Sequence, residues 1–318
     1  MDMQNLFTTV LNMTVTGSIV IGCVLAARFA LGRAPRVFAW ALWLVVIFRL
    51  LCPVAPAGPV SVLEFVDAPR SESGAVEYVE LPVQAPLETI HAGPGQIGSS
   101  VPVQTKPPVD WNFLASRGWC LGVGLMAAYG IISYVNLKRK LRESVPLEKG
   151  VREADGIATA FVLGRTVYLP AGLDAAERRY ILLHERLHLR HGDPVVKALF
   201  WLAVCIHWFN PLVWLAFVLC GWDMELRCDE AVLKKLGGDV RSDYAQSLLN
   251  AAGGKRLAVP LAFGEGDTGK RVKFVLNWKK KKLWVGLAAA VLCIVVLVLT
   301  IFNPNANLAE HQIVFGNQ

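Results

Sequence analysis

The chain has 318 residues, of which 54% are hydrophobic and 18% are charged, and it carries a formal net charge of +7 with a mean hydropathy of +0.44. Soluble domains are usually about 45–50% apolar and about 25% charged. The composition therefore excludes a disordered chain, argues against an ordinary soluble enzyme and predicts a membrane protein.

Four apolar segments predict transmembrane helices. They are residues 6–27, 37–57, 118–135 and 283–302. The first has 22 residues without a charge, which is enough to cross a hydrocarbon layer about 30 Å thick. Because it follows Asp2 and no early Lys or Arg, we interpret it as a retained span and not as a cleaved signal peptide. The second is interrupted by Arg49 near its far end.

Clusters of Lys and Arg near the span ends predict the orientation. They share one side of the membrane if the N-terminus is outside and the chain crosses four times. We therefore predict two transmembrane helices in 1–57, an external Pro-rich loop at 58–110, a third helix in 111–136, a cytoplasmic domain at 137–282, a fourth helix at 283–302 and a short external tail at 303–318.

Charge is concentrated in the predicted cytoplasmic domain. It holds 25 Lys and Arg against 16 Asp and Glu, a net charge of +9. The concentration of Lys and Arg on the cytoplasmic side of a membrane protein explains this positive charge, so we expect no direct nucleic-acid binding. The basic flanks of the spans also suit anionic membrane lipid.

The seven cysteines include no C-x-x-C pair, and most lie in apolar stretches. This pattern indicates small buried side chains. Cys52 and Cys120 both approach the predicted outer face, so a disulfide between them stays open.

Residues 159–169 read as two short strands around Gly164. Asp174 then stands three residues before Glu177, a spacing that predicts a capping box at the start of a helix. We expect this helix to continue to about His191, because Gly192 and Pro194 stop it.

The predicted helix contains an H-E-x-x-H pattern at residues 184–188. Two histidines four residues apart project from one helix face, so His184 and His188 can reach a single Zn(II) ion. Glu185 then lies beside the metal, where it can take a proton from the attacking water and pass it to the leaving amine. The alternative is an amphipathic surface helix with solvated histidines. The strand pair followed by a capped helix favours a zinc site over a solvated surface helix.

A catalytic zinc needs a third protein ligand. His191 is seven residues from His184, about 10.5 Å along the helix axis, which is too far to share the metal. Residues 223–230 offer carboxylates, and Glu225 and Asp229 share one face of a helix. Glu225 as ligand, with Asp229 supporting a ligand histidine, fits the usual construction of metal sites. Asp229 or Glu230 as the third ligand, or a helix face of salt bridges to Arg227 or Lys234, are the alternatives.

Residues 195–222 are apolar except for Lys197 and His207, and they are broken at Asn210-Pro211. Each half is too short to span a membrane alone. We predict a helical hairpin that packs against the inner leaflet or dips into it. We interpret His207 as a polar residue satisfied within the hairpin and not as a ligand.

The motifs together resemble the BlaR/MecR-type antirepressor family of membrane zinc metallopeptidases. The resemblance is carried by H-E-R-L-H-L-R-H-G-D-P, H-W-F-N-P and M-E-L-R-C-D-E-A-V-L, with A-L-W-L-V-V-I-F-R-L-L-C-P, R-S-D-Y-A-Q-S-L-L and G-K-R-V-K-F-V-L-N-W-K-K elsewhere. It covers nearly the whole chain. It implies a mainly α membrane protein, with four transmembrane helices and a cytoplasmic-facing α+β gluzincin-like zinc protease domain.

The resemblance also implies roles for single residues. His184, His188 and Glu225 would be the zinc ligands, Glu185 the base, and Asp229 the partner of a ligand histidine. The strand pair before the helix would bind an extended substrate by strand addition. Members of the family cut a cytoplasmic DNA-binding repressor and also cleave themselves.

One departure from the family concerns the sensor. The beta-lactam receptors continue after the fourth span into an external penicillin-binding domain with an S-x-x-K serine. Here only residues 303–318 follow that span, and no S-x-x-K occurs. We therefore expect no beta-lactam sensing by acylation, and a signal that comes through the external loop, a partner protein or the membrane. Self-cleavage is correspondingly less expected.

These observations predict a multi-pass protein of a bacterial-type cell membrane that acts as a zinc metalloendopeptidase. It would cleave a cytoplasmic protein, in the class of winged-helix repressors, during signal-dependent regulation. One alternative is a non-catalytic signalling scaffold, which the intact Glu185 disfavours. Another is a quality-control membrane protease. The sequence is also compatible with a homodimer.

Overall fold

The computed structural model describes residues 3–53, 57–58, 111–252, 268–301 and 303–304. The chain is mainly helical with small sheets, as predicted. The helices are α1 (Met3–Ala30), α2 (Arg36–Leu51), α3 (Trp111–Lys140), α4 (Ala175–His191), α5 (Asp193–Ile206), α6 (Pro211–Leu236), α7 (Arg241–Ala252), α8 (Thr268–Leu276) and α9 (Leu283–Ile301). Most of the predicted external loop and tail lie outside the described residues.

Three of the described helical segments are long and apolar enough to cross a membrane. They are Met3–Arg33, Trp111–Glu143 and Leu283–Thr300. The second predicted span, 37–57, is shorter than expected, because α2 has only 16 residues, or about 24 Å. The residue before a proline disfavours the α-helical conformation, and Cys52, which precedes Pro53, is extended. The structure therefore supports three of the four predicted spans.

The predicted hairpin at 195–222 consists of α5 and the first part of α6, and its break lies at the predicted position. Asn210 caps α6, because its Oδ1 accepts a hydrogen bond from the backbone N–H of Leu212 at 2.9 Å. The hairpin shares a buried apolar core with α1, α2 and α9. Helix α6 does not end with the hairpin but runs unbroken for 26 residues through the predicted acidic segment at 223–230.

His207 is fully buried at the tip of this hairpin. Its partners lie outside the hairpin, which corrects the prediction. The ring nitrogens are 2.7 Å from the Thr14 hydroxyl of α1 and 2.9 Å from the Leu50 carbonyl of α2. His207 therefore joins the hairpin to the N-terminal helices.

The main sheet has four strands in the order β2-β3-β5-β4. The strands are β1 (Ala57–Gly58), β2 (Val145–Glu148), β3 (Val151–Ala154), β4 (Phe161–Leu163), β5 (Thr166–Pro170) and β6 (Asn303–Pro304), and β1 pairs with β6 alone. The predicted strand pair around Gly164 is confirmed as the antiparallel pair β4–β5, and Gly164 has a φ of 62°. Strands β2 and β3 were not predicted. One face of the sheet packs on Ile181 of α4.

All seven cysteines are free. The open possibility of a disulfide between Cys52 and Cys120 is therefore not realised. The Cys120 thiol instead lies 3.5 Å from the sulfur of Met3.

Candidate metal site

Helix α4 carries the H-E-x-x-H pattern and has the predicted bounds. It begins after Asp174, and Gly192, with a φ of 73°, ends it. The capping box is not formed, because the Asp174 side chain makes no cap hydrogen bond. Glu177 instead accepts a hydrogen bond from Asn250 of α7. A tertiary contact thus replaces the local one at the start of the helix.

The structure brings His184 and His188 of α4 together with Glu225 of α6. The two Nε2 atoms are 3.0 Å apart, and the Glu225 carboxylate lies 3.2 Å from His184 Nε2 and 3.5 Å from His188 Nε2. All three side chains are buried. Two imidazoles and one carboxylate are a donor set that catalytic zinc sites use.

The outer nitrogens of both imidazoles are hydrogen-bonded, which fixes the direction of the inner lone pairs. His188 Nδ1 is 2.7 Å from an oxygen of Asp193. His184 Nδ1 is 2.8 Å from the Tyr244 hydroxyl, which in turn donates to Asp229 at 2.6 Å. We therefore assign the proton of each neutral imidazole to Nδ1.

With this assignment both Nε2 lone pairs face each other and the carboxylate, and a guanidinium nitrogen of Arg271 lies 3.4 Å from His184 Nε2. A cation satisfies such an arrangement, so the residues fit a bound metal ion. Asp229, which was predicted to support a ligand histidine, lies 3.3 Å from His184 Nδ1.

The surrounding carboxylates favour positive charge at this centre. Burial opposes a charged imidazole, but hydrogen bonds to Asp229 and Glu225 raise the pKa of His184. Burial also opposes charge on His188, whose pKa is raised well above its ordinary value by Cys228 and Glu225. Protons and a metal ion therefore compete for the same nitrogens.

Arg271 of α8 holds the two carboxylates of α6. It contacts Asp229 through two nitrogens at 2.9 and 2.8 Å and Glu225 at 3.1 Å. Burial raises the pKa of Asp229, but the Arg271 charge outweighs it and lowers that pKa to about 2. The pKa of Glu225 is likewise held well below its ordinary value against burial, by His188 and Arg271. Both groups are thus anions.

Glu185 is buried next to His184. Among the described residues its carboxylate has no hydrogen bond or ion pair. It is therefore available to take up a proton, as the role of a base requires.

The other predicted candidates lie outside the group of three. Glu230 accepts a hydrogen bond from the backbone N–H of Arg36 at 2.7 Å and pairs with Lys234 at 3.0 Å. His191 lies 3.7 Å from the Cys228 thiol. The distance argument that excluded His191 from the metal agrees with this position.

Sequence reasoning missed three residues that support the site, namely Asp193, Tyr244 and Arg271. Each lies in a quoted stretch, H-G-D-P, R-S-D-Y or G-K-R-V, but no local spacing connects Tyr244 or Arg271 to the histidines. Arg227, which was considered as part of a salt-bridged face, pairs with Asp193 at 2.5 Å. These contacts form only when α5, α7 and α8 pack against α4 and α6.

Comparison with known proteins shows similarity to two regulatory and resistance proteins. The chain is 30% identical to the regulatory protein BlaR1 of Bacillus licheniformis over 47% of its own length and 29% of that protein. It is 33% identical to the methicillin resistance mecR1 protein of Staphylococcus aureus strain Mu50, over 24% of its length and 13% of that protein. The chain thus spans less than a third of these relatives.

The apolar helices and these relatives indicate a bacterial membrane protein. A model of the BlaR1 peptidase M56 family matches residues 8–275, which is most of the chain. The chain therefore belongs to the BlaR1 peptidase M56 family.

Proposed function

We propose that the chain is a zinc-dependent endopeptidase that cleaves a cytoplasmic protein in signal-dependent regulation. The observation that carries this proposal is the convergence of His184, His188 and Glu225, together with the buried Glu185 next to His184 in the chain, whose carboxylate has no partner among the described residues. A structural metal site has no need of a buried unpaired carboxylate. This feature favours an enzyme over a signalling scaffold.

The residues divide the chemistry between them. His184, His188 and Glu225 would hold the zinc ion. When bound, zinc would polarise the scissile carbonyl and acidify water. Glu185 would take a proton from the attacking water and return it to the leaving amine. Asp193 and Tyr244 keep both histidines in the tautomer that presents Nε2 to the centre.

The cellular role rests on the relatives and on charge. One relative is named a regulatory protein, which supports a regulatory substrate, a transcriptional repressor of the winged-helix class. The basic clusters at the span ends support four spans with the domain at 137–282 in the cytoplasm. A quality-control protease with many substrates is the competing role.

Two measurements test the proposal. The first is zinc content per chain for protein purified without added metal, where we expect about one zinc. The second compares new protein N-termini in cells that express wild type, Glu185→Gln or Glu177→Gln. Glu177 lies on the same helix and outside the site, so its variant is the matched control.

We expect a small set of N-termini, including one in a regulator, that Glu185→Gln removes and Glu177→Gln keeps. A folded wild type without zinc, or N-termini that persist in Glu185→Gln, would contradict the enzyme. Cleavage of many damaged membrane proteins would point to quality control.

A further inference from the structure

A groove lies between the main sheet and the first half of α4. Its volume is about 430 Å³, within the range of about 300–1,000 Å³ that ligand sites occupy. Leu147 of β2, Leu169 of β5 and Leu182 of α4 make an apolar floor, and Arg178 and Arg179 stand on the rim. Neither arginine contacts the metal site.

The strand that borders this groove is an open edge of the sheet. Strand β2 is the outermost strand on its side, and all four of its residues are exposed. Val145 and Leu147 expose 61% and 42% of their surface. Pro146 has no backbone N–H, and the pairing of β2 with β3 is irregular between Pro146 and Glu148. The other residues of this edge keep backbone groups that can accept an added strand. Backbone pairing and an apolar floor are thus available in one place.

The charges on the rim are not balanced. Glu148 is already paired with Arg186. Arg178 lies 3.7 Å from Glu153, but its Nε is buried without a hydrogen-bond partner in the described part of the chain. No carboxylate of the described residues pairs with Arg179. The groove therefore has spare positive charge, which complements a carboxylate.

Two residues that line the groove share a helix face with the proposed base. Glu185 follows Leu182 by three residues and Arg178 by seven, and these spacings share one face of a helix. Along the helix axis the separations are about 4.5 Å and about 10.5 Å. A chain that lies in the groove would therefore be close to the catalytic centre.

We propose that this groove is a docking site for the protein substrate, separate from the segment that is cut. It takes an extended segment that adds to β2 as a strand and carries a large apolar side chain with a carboxylate two residues away. Side chains at i and i+2 of a strand point to the same face, so the apolar group meets the floor while the carboxylate meets Arg178 and Arg179. This docking site deepens the proposed function and rests on it. Strand β4, where the cut segment is expected, is the opposite edge of the sheet.

The test measures binding apart from cleavage, by fluorescence anisotropy with the full chain carrying Glu185→Gln in detergent micelles. The probe is a fluorescein-labelled nonapeptide of Ser and Thr with a leucine two residues before a glutamate. We expect Arg179→Glu and Leu147→Ser to raise Kd about fivefold or more. A peptide with lysine in place of the glutamate should bind weakly and regain affinity on Arg179→Glu. Arg165→Glu, the same charge change at the β4–β5 turn, should leave Kd unchanged.

Equal Kd values for Arg179→Glu and Arg165→Glu would overturn the docking site. A loss of affinity on Arg165→Glu alone would also overturn it and would assign the peptide to β4. Displacement of the peptide by phosphatidylglycerol added to the micelles would overturn it too and would assign the groove to lipid. Failure of the proposed function would show separately, as missing zinc or as cleavage that Glu185→Gln does not remove.

Discussion

The hydroxyl of Tyr244 is the part of the site whose removal tests the assigned histidine tautomer. Tyr244 is fully buried, and its hydroxyl bridges His184 Nδ1 and Asp229. Burial and the Asp229 charge raise the pKa of Tyr244 well above its ordinary value, so the phenol stays protonated and donates. Tyr244→Phe keeps the ring and removes only this bridge.

The expected size of the effect follows from the bonds that are lost. One neutral bond contributes about 0.5–1.5 kcal/mol and one bond to a carboxylate about 1.5–3 kcal/mol. Asp229 restores part of the lost free energy by accepting directly from His184 Nδ1, because it already lies 3.3 Å from that atom and Arg271 holds it in place. We therefore expect a loss of about 2 kcal/mol in the free energy of unfolding, and a zinc affinity about tenfold lower, the lower end of the range for partners of metal ligands.

Zinc affinity is measured by competition with a chromophoric chelator, and stability by thermal unfolding in detergent without metal. Tyr180→Phe is the matched control. Tyr180 packs its ring against Tyr244 at 6.0 Å, and its hydroxyl has no hydrogen-bond partner among the described residues. If Tyr244→Phe changed zinc affinity no more than Tyr180→Phe does, the assignment of the His184 proton through Tyr244 would be wrong.

Three further predictions use the same protein. Glu225→Gln should lower zinc content to well below half of wild type while Glu230→Gln leaves it unchanged, as elemental analysis would show; equal loss in both would remove Glu225 as ligand. Gly122→Ala should lower the thermal midpoint, because its Cβ would lie 2.2 Å from the Trp208 indole, an overpacking worth about 1–3 kcal/mol. Gly118→Ala, whose added Cβ would have no atom within 4 Å, should leave the thermal midpoint unchanged. Equal midpoints for the two variants would contradict the packing of Gly122 against Trp208. Finally, zinc affinity should fall as pH falls, because the metal needs both ligand histidines neutral and their raised pKa values bring proton competition to higher pH than for ordinary histidines. Chelator competition from pH 8 to pH 6 would show about a hundredfold loss per unit once both are protonated; a flat profile would contradict it.

The sequence predicted those parts of the site that local spacing determines. The i, i+4 histidines and the glycine stop at Gly192 depend on neighbours along α4, and both appear at the expected residues. The capping box at Asp174 is also a local pattern, yet it fails, because Asn250 takes Glu177 as its acceptor. Tertiary packing can therefore override a local motif even at the helix that carries the chemistry.

The features that the sequence did not predict were also hidden from local patterns. Strands β2 and β3 are short, and Pro146 and exposed side chains blur the alternation that would mark β2. Helix α2 ends at Leu51 because the chain is extended at Cys52, before Pro53. Hydropathy continues past this point and therefore does not show where the helix ends. Tyr244 and Arg271 lie 60 and 87 residues from His184, so only the fold could connect them to it.

The continuity of α6 connects the metal site to the N-terminal helices. Asp223 is fully buried and accepts hydrogen bonds from Arg28 of α1 at 2.7 Å and from the Trp43 indole of α2 at 2.8 Å. Two residues further along the same helix stands Glu225, and Glu230 accepts from the first backbone N–H of α2. Breaking these contacts would leave the fully buried Asp223 carboxylate without its partners, which is unfavourable. A displacement of α1 or α2 must therefore either break these contacts or carry α6 with it, and a shift of α6 changes the distance between Glu225 and the histidines of α4.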